Sequence, residues 1–196
     1  MLESARLVSI IREVEEKEGL VEEGIRWFEI SLSDGENGMK CIRTSRKYFE
    51  GRDVYIGAGT VKKKEEIDVL SDMGVPYILT PGFDEQIVRY ALEKKIEVLP
   101  GVLTPSEVQA AVNCGIHLAK LFPADAFSDR YIKALKGPFP EMDYVAVGGV
   151  TPENAVNFYR LGYKGVAAGS NLVPKHAKRS DLKKIRETAR KYVEVS

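Results

Sequence analysis

Two side chains in this sequence sit in surroundings that do not suit them. Lys120 lies in the apolar run His117-Leu-Ala-Lys-Leu-Phe-Pro123, and Glu29 lies in Trp27-Phe-Glu-Ile-Ser-Leu32. An ammonium buried without a partner is costly, so burial lowers a lysine's pKa. A neutral amine is a nucleophile for carbonyl carbon. A carboxylate within reach can move the protons that such an addition requires. The plainer alternatives are a lysine that snorkels to water and a glutamate in a structural ion pair. The elements that carry the two residues decide between these readings.

Eight short β-rich runs occur: Leu7–Ile11, Ile25–Leu32, Val54–Ala58, Tyr77–Thr80, Ile96–Pro100, Leu118–Phe122, Tyr144–Val147 and Gly165–Ala168. Helical signals fall between them. Ile67, Leu70 and Met73 share one face, as do Ile87, Val88, Ala91 and Leu92. Thr104-Pro105 with Glu107 and Thr151-Pro152 with Asn154 are helix starts, each with a cap and Pro at the first position. Gly74, Gly115 and Gly162 stand where helices stop. Strands alternating with helices imply parallel strands and right-handed crossovers. Eight such units fit a single-domain (β/α)8 TIM barrel over residues 1–196, with an open doubly wound sheet as the rival.

In a barrel, alternate residues of a strand face the helices and the interior. Phe28, Ile30 and Leu32 then point outward, with Trp27, Glu29 and Ser31 inward. Likewise Ala119 and Leu121 point outward, with Leu118, Lys120 and Phe122 inward. Glu29 and Lys120 thus meet the interior near the C-terminal ends of their strands, where barrel enzymes hold their chemistry. Val147-Gly-Gly-Val150 and Ala168-Gly-Ser170 end the last two strands. Glycines let backbone N–H groups approach phosphate oxygens, and barrels often bind phosphate there. Gly57-Ala-Gly-Thr60 is either a third point of close approach or a tight turn in which Thr60 caps the next helix.

Composition narrows the classes. With 29 basic and 29 acidic residues the charge is balanced, which points away from nucleic acid and from anionic membranes. A 44% hydrophobic content supplies a core. Cys41 and Cys114 lack partner motifs and read as buried thiols, not as a disulfide framework or zinc site. No leader is visible at Met1–Ile11 and no apolar run is long enough to span a bilayer, so a soluble cytoplasmic protein is expected.

Taken in order, Phe28-Glu-Ile, Gly57-Ala-Gly-Thr-Val61, Leu79-Thr-Pro-Gly82, Leu99-Pro-Gly-Val102, Lys120-Leu-Phe-Pro123, Lys136-Gly-Pro-Phe139, Gly148-Gly-Val150 and Gly169-Ser170 form a pattern. Over nearly the whole chain it resembles the 2-keto-3-deoxy-6-phosphogluconate (KDPG) / 4-hydroxy-2-oxoglutarate (KHG) aldolases, which are class I enzymes on (β/α)8 barrels. The resemblance implies that Lys120 forms the Schiff base and Glu29 is the general acid/base. Thr60, Pro81 and Phe122 would line the pyruvate end. Val147, Gly148, Gly149, Gly169 and Ser170 would form the phosphate and hydroxyl end. It implies a phosphorylated 2-keto acid substrate, no cofactor or metal, a homotrimer, and a place in Entner–Doudoroff-type carbohydrate metabolism.

Three departures stand out. Ser33 occupies a position where many KDPG aldolases carry a carboxylate-binding Arg, a role that Arg12 could take instead. Val147 replaces a frequent Thr, and the run Val145–Asn154 looks more like the 2-dehydro-3-deoxy-6-phosphogalactonate aldolases, which act on the C4 epimer. The segment Glu13–Glu23 can make only a short first helix. A non-catalytic phosphate-binding barrel, or KHG cleavage as the main activity, are the alternatives.

Overall fold

The structure is a computed structural model and describes every residue except 12–16 and 176. Strands β1 (Leu7–Ile11), β2 (Trp27–Ser31), β3 (Tyr55–Gly59), β4 (Tyr77–Leu79), β5 (Glu97–Leu99), β6 (Gly101–Val102), β7 (Leu118–Leu121), β8 (Asp143–Val147) and β9 (Gly165–Ala168) form one parallel sheet. Its order is β5-β4-β3-β2-β1-β9-β8-β7-β6. The two ends, β5 and β6, flank Pro100 in a single extended stretch. β5 pairs with β4, and β6 pairs with β7. The sheet therefore closes on itself, and the fold is a (β/α)8-type barrel, not an open sheet. The Pro100 carbonyl accepts from the Lys120 N–H at 2.8 Å, which carries pairing across the break.

The intervening helices are α1 (Lys17–Glu22), α2 (Glu36–Tyr48), α3 (Lys64–Asp72), α4 (Glu85–Glu93), α5 (Pro105–Asn113), α6 (Arg130–Lys136), α7 (Pro152–Arg160) and α8 (Leu182–Val195). Both expected capping boxes form, Thr104 with Glu107 and Thr151 with Asn154. Gly74, Gly115 and Gly162 take positive φ of 67°, 77° and 92° just past α3, α5 and α7. Each supplies the left-handed step that ends a helix without a Cβ penalty.

The strand alternation separates two cores. Phe28, Ile30, Ala119 and Leu121 belong to the layer between barrel and helices. Trp27, Tyr77, Leu79, Leu99, Leu118, Val145 and Val147 fill the interior, and Leu2 and Ala5 join them. The Leu2 N–H donates to the Glu97 carboxylate at 2.7 Å, which holds the first residues in that layer. Each large side chain buried in this way contributes roughly 1.5–3 kcal/mol.

Four expectations need correction. Thr60 does not cap α3. Lys63 holds that place, and Glu66 accepts from the N–H groups of Lys62 and Lys63. The fifth strand runs past Pro100, because the proline needs only its carbonyl to keep the ladder. Helix α6 carries no N-cap hydrogen bond and was not marked by any start signal; burial of Ile132 and Leu135 forms it. Cys41 is buried, but Cys114 at the end of α5 is only half-buried. The short first helix is seen as the six residues of α1, while 13–16 lie outside the described residues.

Candidate active site

Lys120 enters the barrel interior from β7. Its Cα pairs with Gly101 on one side and Val145 on the other, and the residue is 8% exposed. Burial holds its ammonium below the ordinary lysine pKa, and the charge of Glu29 acts in the opposite sense. The Lys120 Nζ lies over the Phe122 ring, 4.9 Å from its centre. Phe122 itself is 44% exposed, an apolar ring at the mouth of the barrel.

Glu29 stands on β2, 3% exposed, paired through the backbone with Ile10 and Gly57. Two glycines of β3 make room. A Cβ on Gly59 would fall on the Glu29 carboxylate, and one on Gly57 would fall on the Tyr77 ring. Tyr77 is fully buried and its hydroxyl donates to the Phe28 carbonyl at 2.8 Å. Past Gly59, Thr60 has φ 61°, a strained value for a β-branched residue. Its hydroxyl lies 3.0 Å from that of Ser31, which in turn lies 2.9 Å from that of Ser33. Three hydroxyls thus line the rim above Glu29.

Thr80 ties this side of the rim to Lys120. Its hydroxyl accepts from the Gly101 N–H at 3.2 Å and donates to the Gly82 carbonyl at 2.6 Å. Between them the exposed Pro81 is held with its carbonyl against Gly101, where a Cβ would approach to 2.5 Å. A recess of about 210 Å³ opens beside Pro81, lined by Val61, Thr80, Phe83 and Ile87 among others.

On the far side, Val147 is buried in the inner core, and Gly148 and Gly149 follow with φ of 98° and 66°. Val150 anchors that loop: its carbonyl accepts from the Asn171 amide and from the Tyr192 hydroxyl, each at 2.8 Å. Because Asn171 follows Gly169 and Ser170, the first of these bonds joins the loops after β8 and β9. Ser170 is exposed, and the α7 N-terminus lies just beyond Gly149.

The family model for "KDPG and KHG aldolase" matches residues 2–188. The chain belongs to the KDPG and KHG aldolase family. It is 42% identical over 123 residues to the 2-dehydro-3-deoxy-6-phosphogalactonate aldolase of Escherichia coli (strain K12), a match covering 62% of this chain and 60% of that one. It is 31% identical over 177 residues to the KHG/KDPG aldolase of the same organism, covering 89% of this chain and 82% of that one. The solved structure of native KDPGal superposes with a TM-score of 0.82 at 31% identity, covering 96% of this chain and 93% of the other.

For this aldolase-family chain, the barrel brings Lys120, Glu29, Thr60, Pro81 and Phe122 to one end, with Val147, Gly148, Gly149, Gly169 and Ser170 around the same rim. Arg12 lies outside the described residues. Ser33 is exposed and bonds to Ser31. Sequence reasoning left out Thr80 and Asn171. Their placement depends on how separate loops meet, whereas Ser31 already carried a signal in its spacing of two from Glu29. Among the described residues no group of three or more His, Cys, Asp or Glu is placed to hold a metal ion, and no helix is long and apolar enough to cross a membrane.

Proposed function

We propose that this protein is a class I aldolase that reversibly cleaves a 2-keto-3-deoxy-6-phospho sugar acid to pyruvate and glyceraldehyde 3-phosphate. The observation that carries the reading is the Lys120 amine, buried in the barrel interior with its pKa lowered by desolvation and Glu29 as the nearby charge. An amine of that kind is neutral often enough to attack a ketone.

The steps follow from the groups present. Lys120 Nζ adds to the C2 carbonyl to give a carbinolamine. Glu29 supplies a proton as water leaves, and the protonated imine becomes an electron sink. Glu29, now a carboxylate, accepts the C4 hydroxyl proton through water. The C3–C4 bond breaks, its electron pair passes into the enamine, and the aldehyde departs. The carboxyl returns the proton to C3, and hydrolysis releases pyruvate and Lys120. One carboxylate serves each step because it alternates between acid and base. The Thr60 hydroxyl and Pro81 support the pyruvate end. Gly148, Gly149, Gly169 and Ser170 support the phosphate and hydroxyl end. With Arg12 as the cation for the substrate carboxylate, Ser33 would need no replacement.

Val147 favours the galactonate-derived epimer. Its side chain is apolar and buried and has no hydrogen bond to offer a substrate hydroxyl. A homotrimer, a cytoplasmic location and service in Entner–Doudoroff-type sugar acid breakdown complete the reading.

Borohydride reduction in the presence of pyruvate tests it. The expected result is a covalent pyruvyl mass at Lys120, absent in Lys120→Ala, together with pyruvate release from the phosphorylated substrates. No adduct, or one on another lysine, would overturn the assignment. Release rates from the two epimers and from KHG then rank the substrates; a clear preference for the gluconate epimer would refute the role given to Val147.

A further inference from the structure

Ser31 stands at the centre of the hydroxyl chain on the rim. It is buried, and its backbone partner on β3 is Gly59, the residue that lies against the Glu29 carboxylate. Three contacts converge on its Oγ. The Ser33 N–H donates to it at 3.2 Å. The hydroxyls of Ser33 and Thr60 lie at 2.9 and 3.0 Å.

Valence decides how those contacts divide. A serine hydroxyl has one proton to donate and two lone pairs with which to accept. The Ser33 N–H occupies one lone pair. One lone pair and one proton are left for two hydroxyl neighbours, so Ser31 donates to one and accepts from the other. Two polarities result. In the first, Ser33 donates to Ser31, Ser31 donates to Thr60, and the Thr60 proton is left over. In the second the directions reverse, and the Ser33 proton is left over. The chain offers one proton, at one end or the other.

The two ends differ. Ser33 is exposed, and water satisfies its hydroxyl in either polarity. Thr60 is half-buried and held at φ 61° directly after Gly59. An ionised carboxylate only accepts hydrogen bonds. A substrate carboxylate at Thr60 therefore requires the first polarity, and its binding draws the chain into that state.

We infer that Ser31 is a positioning residue: by donating to Thr60 it turns the Thr60 proton towards the carboxylate of the 2-keto acid. This rests on the aldolase reading above, which sets the pyruvate end at Thr60. It gives work to two serines that the reaction steps leave unused.

Exchange of pyruvate C3 protons in D2O, followed by NMR over a range of pyruvate concentrations, tests the inference. Ser31→Ala should raise the KM for pyruvate about fivefold, the scale of one lost hydrogen bond, and leave the maximal exchange rate within about twofold. Ser31→Thr keeps the hydroxyl and should hold KM within about twofold of wild type. Ser33→Ala leaves Thr60 as the only hydroxyl partner of Ser31, so KM should stay level or fall. An unchanged KM in Ser31→Ala would overturn the inference. So would a loss confined to the maximal rate, or a threonine variant as impaired as the alanine one, which would assign the effect to packing. A raised KM in Ser33→Ala would also overturn it, by placing the donating end at Ser33. Because Ser33 is exposed, that variant decides the matter even where Ser31→Ala does not fold. Wild-type protein that exchanges no pyruvate protons would defeat the aldolase reading itself.

Discussion

The Glu29 carboxylate occupies the space over Gly59 that any side chain at that position would need. The two residues sit on adjacent strands, β2 and β3, where Ser31 is the direct backbone partner of Gly59. The absent Cβ on one strand is thus what lets the carboxylate of the other lie along the barrel interior, facing Lys120.

Gly59→Ala should therefore act on catalysis more than on folding. Its methyl group must push the carboxylate away. Overpacking of this sort costs about 1–3 kcal/mol, whereas loss of a placed general acid/base costs about 100-fold or more in rate. Pyruvate release and a denaturation midpoint measured on the same sample check this; wild-type turnover in the variant would show that Glu29 needs no such room.

Glu29→Gln should shift the titration of Lys120. Burial depresses the lysine's pKa and the Glu29 charge raises it in part. Removing the charge removes the raising effect, so the pKa falls further and the amine becomes neutral at lower pH. The pH midpoint for acylation of Lys120 by acetic anhydride, read by mass spectrometry, should move downward, while turnover drops about 100-fold or more. An upward shift would contradict the electrostatic coupling.

Thr80→Val should loosen the seam where the barrel closes. The change leaves the buried Gly101 N–H without its acceptor, a loss of about 1–3 kcal/mol. Gly101 is the backbone partner of Lys120, so adduct formation should slow as well. Thr80→Ser keeps the hydroxyl and should restore both the urea midpoint and the trapping rate; failure of the serine variant would assign the effect to the lost methyl.

Acid stability should depend on Glu23. Arg190 and Arg186 from α8 bond its carboxylate at 2.5 and 2.6 Å and hold its pKa down at about 2, against an ordinary 4.5. A carboxyl whose pKa is depressed by folding stabilises the native state fully above the unfolded value, and that contribution is lost as pH falls. The loss should run from about pH 4.5 down to about 2. Glu23→Gln should flatten the fall of the urea midpoint over that window and lower the plateau above it. An unchanged acid limb would remove Glu23 from the account.

Much of this was legible from local rules. The period-two alternation placed Glu29 and Lys120 inside, and the structure divides those strands between the two cores on the predicted lines. The threonine caps at 104 and 151 formed as their side-chain chemistry required. Thr60 resisted such reading because its positive φ is imposed from outside, by the loop that must carry its hydroxyl to Ser31. Helix α6 resisted because burial, not a cap, forms it.

By itself the sequence determined which residues of β2 and β7 face inward, where α5 and α7 begin, where α3, α5 and α7 end, and that a lysine and a glutamate share the barrel's interior. Those properties depend on spacing within one element. The tertiary structure alone decided that the sheet closes at Pro100, that Thr80 bridges the seam, and that Glu29 fills the space over Gly59. Each of these is a contact between segments far apart in the chain, and its geometry is set by the closed ring, which no local pattern records.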